Sequence, residues 1–123
     1  MKTVETDKIE HLQVAIVGLG VGEQHARAFN KNQRCQIRWL CDFDTEKASR
    51  LRSNIGCVGA LITRDIGEVN NDPEVDVVSI ATYDHHHYKQ VVDSLSAGKH
   101  TFVEKPLCRG LKELSRIKEV WHR

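Results

Sequence analysis

The chain has 123 residues, of which 40% are hydrophobic and 28% are charged, and 18 Lys and Arg against 17 Asp and Glu leave a net charge of +1. This length predicts one domain with a substantial core, and the composition excludes an intrinsically disordered chain. The balanced charge predicts no nucleic-acid partner, and no apolar run reaches the roughly 18–20 residues that cross a bilayer, so no membrane partner is expected.

Residues 1–11 are predicted as a polar N-terminal extension, and residues 12–123 as a single domain. The extension lacks the apolar core of a secretory signal, and the four cysteines form no C-x-x-C pair. We therefore expect a cytoplasmic protein whose buried thiols are reduced.

From residue 12 onward, apolar β-branched runs alternate with amphipathic segments. The runs are typical of strands covered on both faces, and the segments between them are typical of helices. Strands are predicted at 12–19, 35–42, 59–63, 74–82 and 99–105. Helices are predicted at 23–32, 44–54, within 64–73, at 85–98 and at 111–122.

This alternation predicts an α/β fold, because parallel strands need helical crossovers and those crossovers are right-handed. The expected architecture is a doubly wound parallel sheet of Rossmann type with strand order 3-2-1-4-5. A doubly wound sheet normally adds another strand where this chain ends, so we expect the architecture to be truncated before a C-terminal domain. The fifth strand would then have an uncovered outer edge, which predicts a homo-oligomer.

The stretch VAIVGLGVGEQHARAF joins the first strand to the first helix through three glycines. Gly18 permits a tight turn, and Gly20 lets the backbone approach a pyrophosphate with no Cβ in the way. A helix N-terminus that follows at once offers free N–H groups and a partial positive charge to phosphates. Gly18, Gly20, Val21 and Gly22 are therefore the candidate phosphate-binding residues.

Asp42 ends the second predicted strand, 24 residues after Gly18. A carboxylate at this place can accept hydrogen bonds from both hydroxyls of an adenosine ribose, and it would repel a 2′-phosphate. The sequence thus favours NAD as the cofactor, with NADP possible. The alternative is that Asp42 only caps the following turn.

The glycine spacing G-x-G-x-G departs from the G-x-G-x-x-G fingerprint, whose third glycine would stand at Glu23. The shorter spacing is shared with many S-adenosylmethionine-dependent methyltransferases. Those enzymes carry an acidic residue two positions before the first glycine, where this chain has Ile16. The methyltransferase hypothesis is thereby weakened but stays open.

Four blocks, VAIVGLGVGEQHARAF, WLCDFDTEKA, DPEVDVVSIAT and AGKHTFVEKPL, together resemble the N-terminal domain of the Gfo/Idh/MocA oxidoreductases. The resemblance runs in order over residues 12–120. It implies an NAD(P)-binding Rossmann domain that precedes a substrate-binding domain absent from this chain. It also implies hydride transfer between the cofactor and a sugar or cyclitol.

Further site residues follow from this resemblance. Lys105 of the E-K-P motif would be the catalytic residue, contacting the substrate hydroxyl and the nicotinamide ribose. Glu104 would lie near the nicotinamide, and Pro106 would follow a cis peptide. Thr82 matches the threonine of the family's A-T-P turn beside the cofactor, but Tyr83 stands where proline is usual.

Three consecutive histidines, His85 to His87, follow Asp84, which is predicted as the N-cap of the fourth long helix. Consecutive helical residues point about 100° apart, whereas metal-binding pairs favour i, i+3 or i, i+4 spacing, so no metal site is predicted. His87 matches the histidine of the family pattern A-T-P-x-x-x-H, which implies a place beside the cofactor or substrate. His25 similarly matches the histidine of the glycine turn, one residue closer to Gly20 than usual.

Three hypotheses for function remain. The first is the dinucleotide-binding domain of an oxidoreductase that acts on a sugar or polyol and is inactive without its substrate domain. The second is a free-standing NAD-sensing module. The third is the methyltransferase.

Overall fold

A computed structural model describes residues 11–123 as a five-stranded parallel sheet with helices on both faces. The strands are β1 Leu12–Val17, β2 Cys35–Cys41, β3 Leu61–Thr63, β4 Val77–Ile80 and β5 His100–Val103. The helices are α1 Gly22–Lys31, α2 Thr45–Ile55, α3 Ile66–Asn70, α4 Asp84–Ser96 and α5 Leu111–Trp121. The strand order β3-β2-β1-β4-β5 confirms the predicted topology. Apart from His11, the predicted N-terminal extension lies outside the described residues.

β1 forms the centre of the sheet, and its side chains alternate between two hydrophobic clusters. Val14 and Ile16 pack into the cluster that includes residues of α1 and α2. Ala15 and Val17 face the opposite cluster, which includes residues of α3, α4 and α5. Val14, Ala15 and Ile16 are all fully buried. Both faces are covered, which explains why this strand is a continuous apolar run rather than an alternating one.

The predicted fourth strand, residues 74–82, was too long, since β4 contains only Val77–Ile80. Before it, the Asp76 carboxylate accepts the N–H of Gln13 at 2.8 Å, so a side chain takes over the role of a strand carbonyl. After it, the chain turns toward α4 within three residues. The predicted third strand is likewise reduced to Leu61–Thr63.

Helix ends follow local chemistry in two places and depart from the prediction in one. Asp44 caps α2 by accepting the N–H of Lys47 at 3.0 Å. Gly98 follows α4 with a φ of +79°, the left-handed conformation expected for a glycine that terminates a helix. The assignment of Asp84 as N-cap was wrong. Tyr83 is the N-cap, and Asp84 is the first helical residue, where its charge still favours the helix dipole.

All five strands run parallel, so their carboxyl ends meet at one edge of the sheet. The glycine loop, Asp42, the Thr82 turn and the E-K-P motif each follow one of these ends. In open α/β sheets this edge is where ligands bind. Within residues 11–123, no helix combines the length and apolarity needed to cross a membrane.

Candidate functional site

The glycine loop after β1 packs directly against the end of β4. Gly18 has a φ of +86°, and a Cβ built on it would lie 2.8 Å from the backbone carbon and oxygen of Ala81. Its N–H donates to the carbonyl of Cys41 at 2.8 Å, which ties the loop to β2 as well. Both the conformation and the close contact therefore require glycine at this position.

Gly20 faces open space, since no atom of the described residues lies within 4 Å of the position its Cβ would take. Gly22, in contrast, is buried at the start of α1, and its Cβ would lie 3.4 Å from that of Ala81. Val21 is 57% exposed and occupies the N-cap position. Within the described part of the chain, no hydrogen bond engages the N–H groups of Gly20, Val21 and Gly22. Three consecutive N–H groups at a helix N-terminus thus have no acceptor among residues 11–123, and Gly20, the first of them, faces open space, an arrangement suited to an anionic group.

The Asp42 carboxylate holds two loops together. One oxygen accepts the N–H of Leu19 in the glycine loop, and the other accepts the N–H of Asp44, each at 2.8 Å. The predicted capping of the following turn is therefore present. Each carboxylate oxygen has a second lone pair, so Asp42 retains acceptor capacity for two further donors.

The turn after β4 presents an aromatic side chain to solvent. Tyr83 is 77% exposed and stacks on the imidazole of His85, with ring centroids 6.1 Å apart and planes 7° apart. Thr82 before it is partly buried, and its hydroxyl donates to the side-chain oxygen of Gln90. Of the two, Tyr83 is thus the residue open to a ligand, whereas the Thr82 side chain is held against α4.

His87 is the one histidine of the run that is buried, with 1% of its surface exposed. Its Nδ1 lies 2.6 Å from the carbonyl oxygen of Pro106, and its Nε2 lies 2.9 Å from that of Thr82. Carbonyl oxygens only accept, so a neutral imidazole donates to one of them, and only the imidazolium donates to both. His87 therefore joins the turn after β4 to the loop after β5. Its contact with a cofactor stays a prediction.

The E-K-P motif follows β5 at the same edge. The N–H of Glu104 donates to the carbonyl of Ile80 at 2.8 Å, which anchors the motif to the end of β4. Lys105 is exposed, and its peptide bond to Pro106 is cis, as the family resemblance implied. An exposed ammonium thus lies at the carboxyl ends of the strands, next to a residue whose backbone is hydrogen-bonded to the end of β4.

Sequence reasoning missed a set of hydrogen bonds that connects side chains from three elements. His25 on α1 places Nδ1 2.9 Å from the hydroxyl of Ser79 on β4, and Nε2 2.8 Å from the carboxylate of Glu104. Ser79 is fully buried. The available signal was a lone hydroxyl residue within the apolar run VVSIA, since buried hydroxyls need partners.

The cysteines and the remaining histidines show no reactive cluster. Burial, together with the smaller effect of the nearby carboxylates of Asp42, Asp65 and Glu68, raises the pKa of the Cys41 thiol to about 12, so this thiol stays protonated. Among residues 11–123, no group of three or more His, Cys, Asp or Glu side chains is placed to hold a metal ion.

Several known proteins are similar to this chain in sequence and fold. The family model described as an oxidoreductase family with an NAD-binding Rossmann fold matches residues 12–123. An inositol 2-dehydrogenase/D-chiro-inositol 3-dehydrogenase of Lactiplantibacillus plantarum is 34% identical over 107 residues, which is 85% of this chain and 30% of that protein. The chain thus spans about a third of the length of the relatives it matches.

Solved structures agree with the sequence comparison. GenD2 from gentamicin A biosynthesis, in complex with NAD, has a TM-score of 0.85 and 30% identity, and the match covers 93% of this chain and 32% of that one. Myo-inositol dehydrogenase from Lactobacillus casei, in complex with NAD(H) and myo-inositol, has a TM-score of 0.80 and 26% identity over 89% of this chain and 33% of that one. Residues 12–123 therefore belong to the Gfo/Idh/MocA oxidoreductase family and form its NAD-binding Rossmann fold.

Proposed function

We propose that this chain binds NAD as the dinucleotide domain of an oxidoreductase that acts on a sugar or cyclitol. The observation that carries the proposal is the open space over Gly20, together with three consecutive N–H groups, from Gly20 to Gly22, that have no acceptor in the described part of the chain. A dinucleotide pyrophosphate fits this space because it is anionic and needs close backbone approach.

The Asp42 carboxylate favours NAD over NADP in this proposal. Its spare lone pairs can accept from the two hydroxyls of an adenosine ribose, and its negative charge opposes a 2′-phosphate. Its two backbone contacts, to Leu19 and Asp44, fix the carboxylate between the glycine loop and α2. The acceptor is therefore held in place before a ligand arrives.

Lys105 is proposed as the catalytic residue. When bound, a nicotinamide supplies a carbon that accepts or donates hydride. Lys105 is exposed at the carboxyl edge, where its ammonium can hydrogen-bond a substrate hydroxyl and assist the movement of that hydroxyl's proton. His87 joins the Thr82 turn to the loop that carries Lys105, so the turn and the loop keep their relative position.

The substrate class is proposed from the relatives named above. One is an inositol dehydrogenase by name, and another was solved with myo-inositol and NAD(H). Because this chain spans about a third of their length, substrate contacts would come largely from residues outside this domain. We therefore expect this chain alone to bind the cofactor and to catalyse no turnover.

Calorimetric titration separates the methyltransferase hypothesis from the two hypotheses in which the chain binds NAD. We expect NAD to bind more tightly than NADP by about tenfold or more, since a ribose 2′-phosphate meets the Asp42 charge. S-adenosylmethionine should give no measurable binding. Tight binding of S-adenosylmethionine without NAD binding would refute the proposal in favour of the methyltransferase.

A turnover assay addresses the enzyme and sensor hypotheses. The chain is incubated with NAD and myo-inositol, and NADH is followed by absorbance. We expect no NADH from this chain, and NADH formation by a longer protein that contains it. A longer protein that binds NAD and oxidises no polyol would favour the NAD-sensing module.

Self-association through the outer edge of β5 stays a prediction.

A further inference from the structure

We propose that His25 is a positioning residue that holds the Glu104 carboxylate through Nε2–H, and that it thereby fixes the backbone segment carrying Lys105 relative to the phosphate loop. The inference rests on the proposed function, because it names how the cofactor-binding and lysine-bearing halves of that site are kept in register. It stands on three side chains from three elements.

The hydrogen-bond partners determine which ring nitrogen carries the proton. A carboxylate only accepts, so the 2.8 Å contact between Nε2 of His25 and Oε2 of Glu104 requires the proton on Nε2. Nδ1 is then an acceptor in the neutral ring, and the Ser79 hydroxyl, 2.9 Å away and fully buried, is its donor. Glu104 therefore selects the tautomer, and the Ser79 hydroxyl, which can donate or accept, satisfies the remaining ring nitrogen.

The ring itself has little freedom to move. The His25 side chain is 11% exposed, and its ring packs edge-to-face with that of Phe102, with centroids 5.2 Å apart and planes at 82°. Both nitrogens and part of the ring surface thus contact protein groups. A ring fixed in this way can orient a carboxylate that is itself 35% exposed.

The contact between His25 and Glu104 joins the two parts of the proposed site, the glycine loop with α1 and the segment after β5. His25 lies in the first turns of α1, whose N-terminus borders the open space over Gly20. Glu104 is bonded through its N–H to Ile80 and is followed directly by Lys105. His25 therefore links the helix that would hold the phosphates to the strand end that would face the nicotinamide.

Two substitutions at His25 distinguish this role from a merely structural one. The amide nitrogen of Gln can take the place of Nε2 and donate to Glu104, whereas that of Asn stands near Nδ1 and reaches only the Ser79 side. For NAD binding by this chain, we expect His25→Asn to weaken affinity about tenfold and His25→Gln to stay within about threefold of wild type. Equal losses in both variants, or a larger loss in His25→Gln, would overturn the proposal.

A double-mutant cycle tests whether His25 acts through Glu104. In the Glu104→Ala background, His25→Asn should cost no further NAD affinity, since the carboxylate that it positions is gone. Additive losses would mean that His25 acts independently of Glu104. That result would contradict the proposal.

A spectroscopic measurement keeps the inference separable from the proposed function. Long-range ¹H–¹⁵N correlation spectra of the chain without ligand report which ring nitrogen of His25 bears the proton. We expect an Nε2–H ring in wild type and in Ser79→Ala, and a loss of that single tautomer in Glu104→Ala. An Nδ1–H ring in wild type would overturn the inference even if NAD binds. The expected tautomer in a chain that fails to bind NAD would instead refute the proposed function alone.

Discussion

Polar side chains lie both at the amino ends of the parallel strands, here called the amino edge, and at their carboxyl ends, the carboxyl edge. The two groups differ in whether their polar atoms are bonded within the protein. At the amino edge, the Asp72 carboxylate accepts from the side chains of Arg38 and Trp39, and the Asp72 carbonyl accepts from the ammonium of Lys99 at 2.7 Å. At the carboxyl edge, Gly20 faces open space and Lys105 is exposed. One edge is satisfied internally, and the other leaves donors and acceptors available.

Electrostatics at Asp72 show what internal satisfaction does. Burial alone would raise the pKa of this carboxyl, but the hydrogen bonds from Arg38 and Trp39 and the guanidinium charge outweigh burial and lower the pKa to about 2. The charged form is thus strongly favoured in the folded state. Polar groups at the amino edge therefore contribute to stability, whereas we assign those at the carboxyl edge to binding.

The largest expected effect comes from Gly18, which belongs to the carboxyl edge but serves the fold. We expect Gly18→Ala to lower the free energy of unfolding by about 3 kcal/mol, because the left-handed conformation and the 2.8 Å contact with the Ala81 backbone both penalise a Cβ. Urea denaturation measures the change. A loss below about 1 kcal/mol would show that the loop can move away from β4.

A smaller effect is expected at the amino edge. Asp72→Asn should lower the free energy of unfolding by about 2 kcal/mol at neutral pH, the equivalent of the pKa depression. The lowered pKa stabilises the fold above the unfolded-state value of 3.8. The difference between wild type and variant should therefore be constant above about pH 5 and shrink as the pH falls toward 2.

The same variant tests whether the amino edge takes any part in NAD binding. NAD affinity of Asp72→Asn should equal that of wild type at temperatures where both are folded. If Asp72→Asn weakens NAD binding while remaining folded, the amino edge takes part in binding and the division of roles fails. A stability difference that does not change with pH would contradict the charge argument for Asp72.

The smallest effect is expected at Tyr83, where the family usually has proline. Its φ of −65° is the value that a proline ring imposes. Tyr83→Pro should therefore raise the free energy of unfolding by about 0.5 kcal/mol, by restricting the unfolded chain. Tyr83→Ala is the matched control and should give no gain, since it removes the aromatic ring without fixing φ. Destabilisation by proline would show that the turn needs another conformation.

Much of the fold could be predicted from the sequence because the central strands β1 and β4 are largely apolar runs. The run around Ile16 and the glycines after it define a buried strand, a turn and a helix in one local segment. Parallel order then follows from the handedness of crossovers. The cis peptide before Pro106 could be expected only through the family resemblance.

Contacts between elements could not be predicted in the same way. The partners of His87 lie 5 and 19 residues away in sequence, and those of His25 lie 54 and 79 residues away. No periodicity encodes such distances, since they depend on how three elements pack. The three consecutive histidines look equivalent in the sequence, but burial separates His87 from its two neighbours.

The most direct test of the claim that the cofactor pyrophosphate lies over Gly20 compares two glycines. They lie in different loops, but each has room for a Cβ and a backbone conformation that alanine can adopt. Gly20 and Gly59 both lack a positive φ, and for both no atom of the described residues lies within 4 Å of the Cβ position. We expect Gly20→Ala to retain wild-type stability and to lose at least about tenfold in NAD affinity, because its methyl group occupies the proposed pyrophosphate space. Gly59→Ala should retain both. Equal NAD affinity in the two variants would contradict the assignment of this space to the cofactor.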